Sequence, residues 1–486
     1  MLISRSRSRL SKGAFTILAT AVLCAALVAP TLAQVPVPHV TGPIPAVGPP
    51  GTDLTHNYPQ LASEPTFQLS RAGYIEEEFF FEGTATSYST PSMADGVVVS
   101  TGHPYKSRMI VRRPAKNGPK FNGVVLVEWV NVTSGYNLDV QWGLSHEYLT
   151  QQGYAYVGVS AQRVGVQQAP YGLTVWSPTR YGTLDVTDGG RITNDSLSYD
   201  IFSQAGQAIR HPREAGVDVL DGLKFEMLIA VGASQSASRL SLYYNSIQPL
   251  HRVYDAFVPH IGGGPYRTDV GTKQLRVNSE REIDFGAAAI RQPDSDIFRS
   301  WEVAGASHVG YQYQMFRGGF VGRDGLAPFN FTCDKPPLSH VRIHPVLNAA
   351  YAAMVDWVKK DKAPPIATPI LVTSTSPLVI PRDANGHVFG GIRLADIDVP
   401  LATNTGANSG TIPGSGGFCV LYGTHEPFSA SKIAALYPNH GVYVNAVKKV
   451  TNQNEKDGFV LQDDGDEIIG DAEVSLVGTT HPQPIP

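Results

Sequence analysis

The apolar run Leu228-Ile229-Ala230-Val231 leads directly into Gly232-Ala233-Ser234-Gln235-Ser236, and a helical pattern follows from Ser236 to Asn245. A serine on a sharp turn between strand and helix stands clear of the backbone at the rim of a sheet, where its hydroxyl can attack a carbonyl carbon. Such a turn leaves no room for a large side chain two positions before or after the serine. Gly232 and Ser236 meet that demand, although glycine is usual at the second position. Ser234 is therefore the candidate nucleophile. The competing reading of the same pentapeptide is a helix N-cap, with Ser234 satisfying a free backbone amide.

A serine hydroxyl needs a base, and the base needs a partner that orients it. In folds that carry their serine on such a strand–turn–helix elbow, the acid and the histidine follow the nucleophile in chain order, each on a loop after a later strand. Ser279-Glu280-Arg281-Glu282 follows the run Leu275-Arg276-Val277-Asn278, and Gly305-Ala306-Ser307-His308 follows Trp301-Glu302-Val303-Ala304. His308 is the expected base; His260, after the run Tyr254 to Pro259, competes but precedes both acids. A glutamate accepts the imidazole N–H, fixes its tautomer and stabilises the imidazolium. The offset from the strand end favours Glu282 over Glu280, and both also fit as caps of a helix starting near Phe285. The oxyanion of a tetrahedral intermediate needs backbone donors. One is expected from Gln235 and one from the loop Glu128 to Gly135, with Val132 preferred and Asn131 the alternative.

The elements that must position these groups alternate. Tyr74 to Tyr88 and Tyr105 to Arg113 read as strands of an antiparallel opening. Gly123 to Val130, a helix over Leu138 to Gln152 and Tyr154 to Ser160 form a βαβ unit. A helix Tyr199 to Arg210 and strands at Met227 to Val231, Tyr254 to Ile261, Gln274 to Asn278 and Phe298 to Ala304 continue the pattern, which closes with a helix from Pro345 to Lys360. This requires an α/β architecture with a mostly parallel central sheet and helices on both faces. The irregular segment 161–197, with Tyr171, Trp176 and Tyr181, leaves the carboxyl end of a strand. It reads either as a cap that selects substrate or as a satellite core. The core is expected over 64–365. Residues 366–486, where turns and short β-like runs dominate, form an extension packed on it, and Asp463, Asp464, Asp466 and Glu467 read as a solvated turn.

At the other end, Arg5, Arg7, Arg9 and Lys12 precede an apolar run from Ala14 to Ala29 that is followed by Thr31-Leu32-Ala33. This reads as a signal peptide over 1–33, too short for the roughly 20 residues of a spanning helix, and implies a secreted or periplasmic protein with no membrane span. A Pro- and Gly-rich linker or strapped-on arm follows over 34–63. Loss of Cys24 with the signal leaves Cys333 and Cys419, either bridged or two separate buried thiols. With 38 basic against 42 acidic side chains the net charge is −4. This argues against nucleic acid and anionic membranes and for a neutral small molecule or polymer. Cys/His spacing of the metal-binding kind is absent, so neither metal nor cofactor is expected.

Over about residues 120–360 the chain resembles the α/β-hydrolase superfamily. More narrowly, it is similar to a group of bacterial exported hydrolase-domain proteins. The likeness rests on Glu128-Trp129-Val130-Asn131, Gly232-Ala233-Ser234-Gln235-Ser236, Arg291-Gln292-Pro293-Asp294-Ser295-Asp296, Trp301 to His308 and Gly390-Gly391-Ile392-Arg393. The resemblance implies an α/β-hydrolase fold whose C-terminal extension belongs with it, and hydrolysis of a carboxylic ester through an acyl-enzyme. An amidase or peptidase with the same three side chains, and a binding module that kept the fold without turnover, are the alternatives.

Overall fold

The apolar runs become strands of one sheet in a computed structural model that describes residues 35–52, 55–63 and 67–479; the expected signal peptide lies outside the described residues. In chain order the strands are β1 His39–Thr41, β2 Tyr74–Ser89, β3 Val97–Pro114, β4 Val124–Trp129, β5 Ala155–Val159, β6 Met227–Ala233, β7 Ala256–His260, β8 Lys273–Ser279 and β9 Phe298–Val303. Their spatial order is β1-β2-β3-β5-β4-β6-β7-β8-β9. Pairing is antiparallel from β1 through β3 to β5, and parallel from β5 onward. Every residue of β4, β5 and β6 is buried. Strands covered on both faces lose the alternation of a half-exposed strand, which is why these segments read as continuous apolar runs. Helices Val140–Gln151 and His344–Lys360 pack on each other and on the parallel strands, and helix Gln235–Leu242 packs on β4, β6 and β7.

Several segments differ from their sequence reading. The stretch 34–63 adds β1 to the free edge of β2, and Val40, Tyr58 and Gln60 are buried. A three-residue strand whose partner lies far along the chain leaves no local periodicity. In the insertion 161–197, Arg180 Nε and Tyr181 Oη donate to Glu78 of β2 at 2.6 and 2.7 Å, while Trp176 stacks on His56 with ring centroids 4.3 Å apart. Those aromatics form a satellite core. Turns and short β-like runs were expected to dominate 366–486, and short strands do form at Ala402–Thr405 and Thr424–Pro427, yet two long helices, His440–Asp457 and Gln462–Val474, follow them. Asp463 and Asp464 stand in the first turn of the second helix rather than in a solvated turn. Carboxylates are favoured at a helix N-terminus, where they face the positive end of the dipole, and their density hides the apolar stripe.

The extension also completes the sheet. Ile392 N–H donates to Glu302 O at 2.7 Å and Ala304 N–H donates to Ile392 O at 3.0 Å, so the Gly390-Gly391-Ile392 segment covers the free edge of β9. A side chain on Gly391, which has φ of 72°, would meet Ile370 Cγ1 at 2.7 Å. Arg291 grips Glu302 through two hydrogen bonds of 2.8 and 2.7 Å, and the same carboxylate accepts from Ile370 N–H. These motif residues are fasteners between the core and its extension.

At the end of β4, the fully buried Glu128 accepts from Tyr156 Oη at 2.7 Å and from Gln141 N–H at 3.1 Å. Burial, helped by the nearby Asp139 and opposed by those hydrogen bonds, pushes its carboxyl up from 4.5 to about 8. A folded-state pKa above the unfolded one gives stability that is complete below the unfolded value and is lost as pH rises through the folded value. Between pH 5 and pH 9 the wild type is therefore expected to lose on the order of 2 kcal/mol more stability than Glu128→Gln, which cannot ionise. Chemical denaturation of both proteins at the two pH values checks this.

Candidate active site

The turn after β6 holds Ser234 at φ 58° and ψ −118°, a conformation that non-glycine residues adopt only when the surroundings enforce it. Three neighbours do so. Ser234 N–H donates to His260 O at 3.0 Å, and Asn131 Nδ2 donates to Ala233 O at 2.9 Å. Ser236 Oγ accepts from Ala233 N–H and donates to Ala233 O, each at 2.9 Å. The serine that replaces the usual glycine thus clasps the turn. A side chain at Gly232 would lie 2.9 Å from Leu240 Cδ1, which explains the small residue there. Ser234 makes no side-chain cap bond to its helix, so the N-cap reading does not describe it.

Its hydroxyl instead lies 2.7 Å from His308 Nε2, and His308 Nδ1 lies 2.6 Å from Glu282 Oε1. The two outer partners fix the tautomer: Nδ1 donates to the carboxylate and Nε2 accepts from the serine. Glu282 is held by its own helix, Glu280–Asp284, which starts earlier than the sequence reading placed it. Ser279 caps that helix, and Glu282 Oε2 accepts from Ser279 N–H at 2.9 Å and from Ser279 Oγ at 2.5 Å. One carboxylate oxygen closes the capping box and the other faces the imidazole. Burial raises the Glu282 carboxyl, but the facing His308 and the bonds from His308 and Ser279 outweigh it and hold the group below its ordinary value.

Glu280 does not join this chain of hydrogen bonds. Its Oε1 accepts from Arg382 Nη2 at 2.7 Å and from Gly406 N–H at 3.1 Å, and its Oε2 accepts from Gly305 N–H at 2.8 Å. It ties the histidine loop to the extension, because neighbouring residues on a helix diverge by about 100° and two glutamates spaced by two positions face different ways. Asn131 is likewise corrected as an oxyanion donor, since its N–H donates to Leu138 O at 2.9 Å. Among the described residues no acceptor takes the N–H of Val132 or of Gln235, and both residues line a groove at Ser234. His260 is buried with both ring nitrogens unpartnered among the described residues, and burial lowers it to about 3. It meets the serine through its carbonyl, not its ring.

Ser234 stands between two hollows. One is an enclosed cavity of about 210 Å³, walled by the loop after β4, helix Tyr311–Arg323 and segments 327–330 and 416–422. The disulfide Cys333–Cys419, with Cα atoms 5.5 Å apart, joins the two segments that roof it. The other is an open groove of about 950 Å³ that the insertion lines with Gln162, Val164, Gln168 and Asp195. Tyr171, Trp176 and Tyr181 line neither. Among the described residues no cluster of His, Cys, Asp and Glu could hold a metal ion. Ser279, Arg382, Gln314 and Arg317 also shape the site without standing out in the sequence as chemical candidates. Of these, Ser279 had a local signal, since Ser-x-x-Glu is the capping-box pattern and singles out Glu282.

A family model described as alpha/beta hydrolase domain matches residues 40–470. No curated protein matches the chain significantly. Among solved structures, oligopeptidase B from Trypanosoma brucei aligns at 9% identity and TM-score 0.26, covering 51% of this chain and 42% of its own. A cold-adapted esterase from an Arctic intertidal metagenomic library aligns at 9% identity and TM-score 0.26, covering 52% and 95%. A rice cell wall degrading esterase from Xanthomonas oryzae aligns at 15% identity and TM-score 0.22, covering 39% and 43%. The chain thus spans less than half the length of the first and third.

The two glutamates separate experimentally. Glu282→Gln leaves the imidazole without an anionic partner, and kcat on any substrate turned over is expected to fall by about 10³-fold or more. Glu280→Gln breaks the pair with the partly exposed Arg382 and is expected to lower Tm with the smaller effect on kcat. Steady-state kinetics and thermal unfolding of both variants check the contrast.

Proposed function

Because the chain belongs to the alpha/beta hydrolase domain family over residues 40–470, we propose that it is a serine hydrolase that cleaves a carboxylic ester through an acyl-enzyme. The observation that carries this reading is the unbroken hydrogen-bond chain from Ser234 through His308 to Glu282, at 2.7 and 2.6 Å. Ser234 Oγ adds to the ester carbonyl carbon as its proton passes to His308 Nε2. The oxyanion is received by the N–H groups of Gln235 and Val132, each such donor contributing about 3 kcal/mol in related chemistry. Collapse breaks the bond to the alkoxy oxygen, which takes the proton from His308 and leaves as the alcohol. Water, deprotonated by His308, then adds to the acyl carbon, and the acid departs with Ser234 restored. Glu282 stabilises the imidazolium in both halves without itself taking the proton.

The disulfide supports export, since such bonds persist in oxidising compartments, with residues 1–33 acting as the signal peptide and the mature protein secreted or periplasmic. A fluorophosphonate is expected to label the wild type at Ser234 and to leave Ser234→Ala unlabelled, as read by mass spectrometry of the digested protein. Turnover of p-nitrophenyl acyl esters should fall by about 10⁴-fold or more in the variant. Absence of labelling at Ser234 would overturn the proposal, and faster turnover of the matching anilides would move it to an amidase.

A further inference from the structure

The enclosed cavity beside Ser234 is mostly apolar, with Leu138, Leu144, Ile343 and Phe418 in its wall. Helix Tyr311–Arg323 adds Gln314 and Arg317, one turn apart and therefore on one face. Gln314 is 1% exposed, and neither its Oε1 nor its Nε2 meets a partner among the described residues. Arg317 is 9% exposed, and its Nε is also unpartnered among them. Its Nη2 donates to Tyr136 Oη at 2.7 Å, with Ser134 Oγ at 3.5 Å, and the guanidinium stacks 4.6 Å from the Phe329 ring centroid. These contacts orient the cation without neutralising it. No aspartate or glutamate lines the cavity. Of the other buried arginines, Arg108, Arg112, Arg113 and Arg180 are each matched to a carboxylate of the chain, and Arg276, which is not, lines neither hollow at Ser234. A buried guanidinium and an unbonded buried amide are costly unless something answers them, and a planar donor fork fits a carboxylate.

We infer that the substrate answers them: its acyl group ends in a carboxylate, so the ester cleaved is a half-ester of a dicarboxylic acid held at its far end by Arg317 and Gln314. This rests on the serine-hydrolase reading. The acyl group stays bound to Ser234 through both steps, which suits the enclosed cavity. The alcohol must leave before water attacks, which the open groove permits. The weak net charge of the chain pointed to a neutral ligand, but recognition is local, and here one cation faces apolar walls where no acidic residue offsets it.

The test compares ethyl half-esters of succinic, glutaric and adipic acids with the ethyl esters of the corresponding monoamides, which have the same length and no charge. Hydrolysis is followed at constant pH for wild type, Arg317→Met and Gln314→Met. The wild type is expected to prefer the carboxylate at one chain length or more by about 10-fold or more in kcat/KM. That ratio should approach one in Arg317→Met and fall part of the way in Gln314→Met, whose unchanged charge guards against a folding artefact. A wild-type ratio of one or less at all three lengths, or a ratio unchanged in Arg317→Met, overturns the inference. If no ester is turned over and fluorophosphonate leaves Ser234 unlabelled, the hydrolase reading fails, and calorimetric titration with the three dicarboxylates decides the site alone. Binding that Arg317→Met abolishes sustains it, and no binding to the wild type overturns it.

Discussion

Ser234 can sit at a backbone conformation with φ of 58° only because neighbours at the ends of two strands and in the following helix hold it there. The carbonyl at the end of β7 receives its N–H, the side chain of Asn131 after β4 holds the carbonyl just before it, and Ser236 clasps the turn from within the following helix. Each contact comes from an element at the carboxyl edge of the parallel sheet. Parallel strands bring all their carboxyl ends to one rim, so loops separated by about a hundred residues of chain meet there without long excursions. The same rim supplies the capping box that aims Glu282 and the loop that carries His308.

Buried glutamates do the fastening around that rim. Glu78 pairs with Arg108 and Arg180 and so anchors the insertion. Glu280 joins the histidine loop to Arg382 of the extension, and Glu302 joins Arg291 to the backbone at Ile370. Burying a charge is expensive and an ion pair seldom repays it outright, but removal of one partner is severely destabilising. Such pairs make each loop position conditional on a distant segment. The extension is therefore part of the architecture that sets the site, through Arg382 and Gly406 on one side and the disulfide-linked roof of the cavity on the other.

Division of the space at Ser234 follows from the same packing. The enclosed cavity is bounded by helix Tyr311–Arg323 and the roof, and the open groove by the insertion, whose aromatic residues turn inward to form their own core while its polar residues face the groove. A reacting group at Ser234 meets a mostly apolar side and an open one. Electrostatic interactions are stronger on the apolar side, where the lower dielectric leaves charge less screened.

The sheet strands after β1 and the four helices packed around them were legible in the sequence because fully buried parallel strands are unbroken apolar runs and their connecting helices carry a period of their own. Gly232-Ala233-Ser234-Gln235-Ser236 was legible too, since steric crowding at a strained turn restricts residue size locally. Chain order alone then selected His308 over His260. Local pattern could not reveal that the Asn131 amide is bonded to Leu138, or that a short arm pairs with β2. Those outcomes depend on the direction of a side chain or the availability of a backbone group once remote segments have packed. Arg317 shows the limit most plainly: in the sequence it resembles any surface arginine, and only the folded walls around it bury it where no acidic residue offsets its charge.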